Sequence, residues 1–299
     1  MKNSKGFKLS TEDYFVYGVC TVVLGFVLLL TLYPVYYCLI YSLNEGTNSI
    51  LGNLYFFPRK FTFENYMVIF REKTLVSAFV VTVARTVIGT VMSLYIMSMA
   101  AYALTKPQLR FRKFYSVFGV ISMYFSGGII PFYIILNYLK LLNTFWVYIL
   151  PGLVGFFNVL LMMTFFRELP ASLEESVQID GAGYFTIFNK IILPLSKPIL
   201  ATVALFVAVG HWNDWFSAAF YVTDEKLMTL PTLLMKMMNE AVAKSRMESF
   251  IRSSYSKSNL TIEAVRYAAL MVTVMPIAML YPFIQKYFIR GMMVGSIKA

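Results

Sequence analysis

Six long apolar stretches run along the chain, separated by short polar loops and two longer polar segments. A helix needs roughly 20 apolar residues to cross the hydrocarbon core of a bilayer. The first stretch, 14–43, carries no charge and holds Pro34; the second, 75–104, is interrupted only by Arg85. The third and fourth, 114–139 and 145–166, are uncharged throughout. The fifth, 191–221, is irregular, with Lys197 and Pro198 near its start and a polar group late in it. The sixth, 262–288, contains an uncharged run from Tyr267 to Gln285. Barrel strands would alternate apolar and polar at every second residue, whereas these runs are continuous. The pattern predicts an all-α membrane protein of six transmembrane helices, forming one domain over residues 1–299.

Between the spans the pattern predicts smaller elements. In segment 44–74 a short helix should begin near Thr62 with Glu64 in its first turn. In segment 222–259 Pro231 should open a helix over 232–244. Between spans four and five, residues 171–182 read as a short amphipathic helix. Ser172 serves as its N-cap with Glu175 three residues on, Leu173 and Val177 share one face, and Gly181 or Gly183 ends it.

Orientation follows from basic residues in short loops. Lys106, Arg110, Arg112 and Lys113 sit between spans two and three with no acid nearby, so that loop is expected in the cytoplasm. Alternation then puts both termini inside, 44–74 and 222–259 outside, and 171–182 on the cytoplasmic side. Summed over all segments the basic residues are nearly even, so this rests on that loop and on Lys2, Lys5 and Lys8. The first apolar run is longer than the 7–15-residue core of a cleavable signal, so it is read as a retained helix.

Composition removes the soluble alternatives. Hydrophobic residues make up 59% and charged residues 14%, against roughly 45–50% and about 25% in soluble domains. The net charge of +11 is spread between greasy runs, which suits anchoring at membrane lipid and not a nucleic-acid face. Cys20 and Cys38 read as buried small hydrophobes without metal or disulfide spacing. A single histidine, His211, argues against a histidine-rich metal site.

Two places offer chemistry at membrane depth. His211, Trp212, Asn213, Asp214 and Trp215 combine aromatic faces with planar polar groups, the pair of features that holds a sugar; an interfacial aromatic belt is the plainer reading. Ser126 and Gly127 fall where Phe125–Gly128 should break the third span and free backbone groups for water, protein or ligand. Arg85 is expected to pair across a subunit interface or to snorkel outward.

The segment after span four carries a resemblance. Glu175-Ser176-Val177, three residues, Gly181, nine residues and Ile191-Ile192-Leu193-Pro194 match the spacing of the cytoplasmic signature of bacterial ABC importer permeases, with Ser-Val in place of Ala-Ala. Asn65-Tyr66, Ala100-Ala101-Tyr102-Ala103-Leu104 and Glu174-Glu175 through Asp180-Gly181-Ala182 resemble the carbohydrate-uptake class. Phe125 to Pro131, Gly210 to Phe216 and Tyr281-Pro282-Phe283 resemble its MalG-like LplC branch.

The resemblance implies the type I importer permease fold, with 171–182 as a coupling helix whose Leu173, Glu174, Glu175, Val177, Asp180 and Gly181 meet an ATPase. It further implies a heterodimer with a second, MalF- or LplB-like permease, two ATPase subunits that bind ATP and Mg, and an extracytoplasmic sugar-binding protein. It implies an oligosaccharide cargo and a bacterial plasma-membrane location. No cofactor is expected in this chain, and no Gly-rich Lys-Ser/Thr phosphate loop occurs in it. A non-sugar solute is the nearer alternative. An ion-coupled transporter would favour paired halves and buried acid relays, and an enzyme would need a nucleophile–base or metal constellation.

Overall fold

The computed structural model describes residues 11–49, 51–52, 54–179, 181–239 and 261–293. Among them the backbone is helical, and the one β-type pairing is an isolated bridge between Asn44 and Phe61. Contacts divide the chain into two units, Met1–Ile69 with Lys244–Met271 and Phe70–Ala243 with Val272–Ala299.

The first unit begins with α1 (Thr11–Ser42), followed by the single turn α2 (Gly46–Ser49) and by α3 (Glu64–Arg71). Apolar side chains cover α1 and are almost all exposed, a surface built for lipid or a partner and not for water. A helix end leaves carbonyls without partners, and Asn65 supplies them. Fully buried, it donates Nδ2 to the carbonyls of Ser42 (2.8 Å) and Asn44 (2.9 Å). The Tyr66 hydroxyl lies 2.6 Å from Ser42 Oγ. The Asn65-Tyr66 pair thus ties α3 to the end of α1. Tyr37, Tyr41 and Tyr267 cluster nearby, with ring centroids 4.4 and 5.2 Å apart along the chain of contacts. Cys20 departs from expectation: it is exposed, and Cys38 only partly buried, because α1 turns most of its surface outward.

The second unit is organised around α4 (Lys73–Thr105), which Glu72 caps by accepting from the Thr74 amide. Its buried positions Ala78, Thr82, Arg85, Gly89, Ser93, Met97 and Ala101 form one stripe at helical spacing. Most are small, which lets neighbouring backbones approach closely where the bilayer offers no hydrophobic drive between helices.

Three apolar runs that read as single spans are broken. α5 (Arg112–Tyr124) and α6 (Ile129–Tyr138) meet at 119°. The break falls at Phe125–Gly128, as the sequence suggested; Gly128 (φ 80°, ψ 177°) takes a conformation essentially closed to other residues. The fourth run is two 3₁₀ turns, Phe145–Tyr148 and Leu150–Gly152, then α7 (Phe156–Glu168), bent by 51° where Pro151, Gly152 and Gly155 interrupt it.

After α8 (Ser172–Ile179) come α9 (Tyr184–Ile187), a π-helical segment Phe188–Ile192, α10 (Leu193–Leu195) and α11 (Lys197–Asn213). The bend of 83° before α11 sits between Pro194 and Pro198, neither of which has an amide to donate. α12 (Phe216–Tyr221), α13 (Leu230–Met238) and α14 (Ile262–Met293) complete the described chain. α13 opens at Leu230 with Pro231 next and, shorter than expected, ends at Met238, where Asn239 takes an extended backbone; residues 240–244 lie outside the described residues.

Among the described residues, Glu12–Ser42 and Lys73–Thr105 are each long and apolar enough to cross a bilayer, and the three bent pairs qualify when each is taken together. α4, α7, the π segment and α11 share one core, including Met97, Tyr102, Val159, Met162, Phe188 and Val203. A second core joins Leu136, Tyr148, Ala218 and Tyr221.

Candidate functional site

α11 stops at Asn213, and Asp214 takes an extended backbone before α12. The Asp214 carboxylate holds this break together. Its Oδ1 accepts from the Ser217 amide (3.0 Å), and its Oδ2 lies 2.6 Å from Arg85 Nη2. Arg85 Nη1 also donates to the Asp214 carbonyl at 3.0 Å, and the guanidinium carbon stands 4.5 Å from the centre of the Tyr148 ring. Tyr148 in turn donates its hydroxyl to the Leu227 carbonyl (2.6 Å). Arg85 is only 1% exposed. It neither snorkels nor waits for another subunit, as the sequence suggested. A buried cation needs a close counter-charge, and this chain provides one 129 residues away.

The ion pair borders a cavity of about 460 Å³ within the second unit. Arg85, Asn158, His211, Asp214 and Ser217 give it hydrogen-bonding groups, and Phe132, Tyr148 and Tyr221 give it aromatic faces. That size and mixture are typical of small-molecule sites.

Of the seven residues expected on a substrate path, His211 and Asp214 line this cavity. Trp212 lies in the wall instead. It is buried, donates Nε1 to the Thr273 carbonyl (3.0 Å), and meets Phe79 edge-on at 6.2 Å. Asn213 and Trp215 are exposed, and the Trp215 carbonyl accepts from Thr232 Oγ1 (2.7 Å). Ser126 and Gly127 are exposed at the α5–α6 break, where Ser126 Oγ accepts from the Gly128 amide. Sequence reasoning missed Tyr148, Asn158, Ser217 and Tyr221. Asn158 had a visible signal, an amide in an uncharged run; the others had none.

His211 is wedged against α4. A Cβ placed on Gly89 would come within 2.5 Å of His211 Nε2, so the glycine is what admits the imidazole. Gly89→Ala is expected to destabilise the detergent-purified protein by about 1–3 kcal/mol, the usual range for overpacking. Adding His211→Ala should relieve most of that loss in thermal melting. If Gly89→Ala melts like the parent, the imidazole is free to move aside and the wedge does not exist.

The second feature is α8. Its first intrahelical acceptor is the Ala171 carbonyl, bonded by the Glu175 amide (3.1 Å), so the cap falls one residue before the expected Ser172. Its end is as expected. Gly181 has φ +83°, its amide bonds the Gln178 carbonyl (3.0 Å), and the Ala182 amide reaches back to Val177 (3.1 Å). This is a Schellman stop, which needs a residue at ease in the left-handed region. Asp180 lies outside the described residues.

The two faces of α8 differ from the expected division. Glu174 forms an ion pair with Lys106 and accepts from the Tyr102 hydroxyl (3.2 Å). Val177 packs against the α4–α7–α11 core. Leu173, Glu175, Ser176 and Ile179 are exposed, Ile179 at 85%. The face free to meet another molecule therefore carries Glu175 and Ile179, while Glu174 and Val177 belong to the chain itself.

Residues 14–294 match the model of one family, the binding-protein-dependent transport system inner membrane component. The chain belongs to that family. This permease is 34% identical to Protein LplC of Bacillus subtilis (strain 168) over 284 residues, 95% of each chain. It is 36% identical to the polygalacturonan/rhamnogalacturonan transport system permease protein YtcP of the same organism over 241 residues, 81% of this chain and 83% of the relative. Among solved structures it resembles a bacterial ABC transporter involved in the import of the acidic polysaccharide alginate. That likeness has a TM-score of 0.86 at 30% identity, and it covers 94% of this permease and 99% of the other chain. The permease is thus a membrane subunit of a transporter.

Proposed function

We propose that this permease forms one half of the channel of an ATP-driven, binding-protein-dependent importer of oligosaccharides or polysaccharide fragments. Six spans cross the bacterial cytoplasmic membrane with both termini inside: α1, α4, the α5–α6 pair, the turns with α7, α11 with its preceding bend, and α14. A MalF- or LplB-like permease completes the channel, two ATPase subunits beneath it bind ATP and Mg, and an extracytoplasmic binding protein delivers the sugar to the face made by 222–259. Residues 240–259 of that face lie outside the described chain.

The observation that carries this reading is α8. A stiff helix with a firm stop at Gly181 and an unused face around Glu175 suits docking into a moving ATPase. The saccharide cargo is supported by the named substrates of the relatives and by a cavity that pairs aromatic faces with hydrogen-bonding groups.

Reconstitution in lipid vesicles tests it. The permease alone should neither hydrolyse ATP nor take up galacturonan or alginate oligosaccharides. Addition of the second permease, both ATPases and the binding protein should give ATP-dependent uptake. Hydrolysis or uptake by the permease alone would sink the proposal, and a complete complex that transports only non-saccharide solutes would remove its cargo.

A further inference from the structure

Lys106 and Glu174 sit at two helix ends whose partial charges suit them. Lys106 is the C-cap of α4, where the helix dipole favours a cation, and Glu174 is in the first turn of α8, where it favours an anion. Their side chains are 18% and 19% exposed, so the pair is mostly shielded from solvent. The Lys106 ammonium lies 4.2 Å from the centre of the Tyr102 ring, and the Tyr102 hydroxyl donates to the same Glu174 oxygen. Tyr102 is itself fixed, 5% exposed and 5.6 Å from the Phe188 ring. One turn later on the same face of α8, Val177 enters the core that contains Tyr102 and Phe188.

α8 therefore has two side-chain attachments on one face, an ion pair to the C-cap of α4 and an apolar contact with the core that contains Tyr102. Both lead to the end of α4. Twenty-one residues back along α4 is Arg85, on the cavity; at 1.5 Å per residue that is a span of about 30 Å. α4 is unbroken between the two points.

We infer that Lys106, Glu174 and Tyr102 form the joint through which movement of α8 reaches α4 and the cavity. They are positioning residues, distinct from the outward Glu175 face that meets the ATPase. This rests on the proposed role of α8, so the test must separate docking from transmission.

The test uses the complete complex, with Cys20→Ala, Cys38→Ala and Ser217→Cys to give one thiol in the cavity. The rate at which a maleimide labels that thiol is compared with and without ATP. Lys106→Gln and Glu174→Gln should each keep the ATPase subunits through purification, yet shrink the ATP-dependent change in labelling by about tenfold, a usual size for coupling between sites. Lys106→Arg, which keeps the cation, should retain the change. If both Gln variants respond to ATP like the parent, the joint is overturned. If Glu174→Gln sheds the ATPase while Lys106→Gln does not, Glu174 is a docking residue and the joint is again overturned. Failure of the underlying reading looks different: Glu175→Lys would then keep its ATPase.

Discussion

A permease carrying Glu175→Lys and Gly181→Asp is expected to insert normally, lose its ATPase subunits on detergent purification, and take up no measurable sugar. In the isolated chain Glu175 is exposed and Gly181 has open space where a Cβ would sit. Neither substitution disturbs a packed interior. The left-handed backbone at Gly181 (φ +83°) costs an L-residue roughly 1–2 kcal/mol, enough to fray the α8 stop without unfolding the spans. Glu175→Lys has its effect only if a partner covers that side. A solvated acid contributes about 0–1 kcal/mol through ion pairs, and its reversal would pass unnoticed. A carboxylate enclosed with a basic partner loses about 3–5 kcal/mol when one member of the pair is removed, and that is a hundredfold or more in affinity at about 1.4 kcal/mol per tenfold. Co-purified ATPase, quantified beside uptake in cells, reads the difference. A double variant that keeps both would take away the main support for α8 as the coupling helix.

The legibility of this chain followed the physics of its solvent. α1 and α4 were readable because a long apolar run, broken at most by Arg85, has one outcome in a bilayer, a helix that satisfies its own backbone. The α5–α6 break was readable because Gly127 and Gly128 interrupt the run. The bends at Pro151 to Gly155 and around Ser196 were not read as breaks, since hydropathy alone cannot tell a bent apolar span from a straight one. The stop of α8 was legible from Gly181, whereas its inward and outward faces were not. An eight-residue helix with Leu173 and Val177 four apart looks as if it shows one apolar face to a partner; the structure instead gives Val177 to the core and leaves Leu173 exposed. Trp212 was ambiguous for a similar reason. An indole supplies both a sugar platform and a packing unit, and only its bond to Thr273 distinguishes them.

The other large effect is expected at Arg85 and Asp214, and its two halves should differ. Each charge offsets the other, but they are not equally hidden: the Arg85 side chain is 1% exposed and that of Asp214 is 26% exposed, on the cavity. Asp214→Leu strands a guanidinium that is almost wholly covered and should destabilise the protein by about 3–5 kcal/mol. Arg85→Leu strands a carboxylate that the cavity can hydrate, so its cost should be clearly smaller. The double variant removes both charges, and apolar replacement of a buried pair is often neutral or better. It should therefore melt close to the parent in detergent. Its uptake should nevertheless fail, because the break between α11 and α12 loses the carboxylate that holds the Ser217 amide and the cavity loses its two charged groups. Thermal melting ranks the three proteins and uptake in cells separates folding from transport. Equal losses in the two single variants would mean that Asp214 is as enclosed as Arg85 in the assembled channel. A double variant that transports normally would show the pair to be a packing device with no part in the sugar's route.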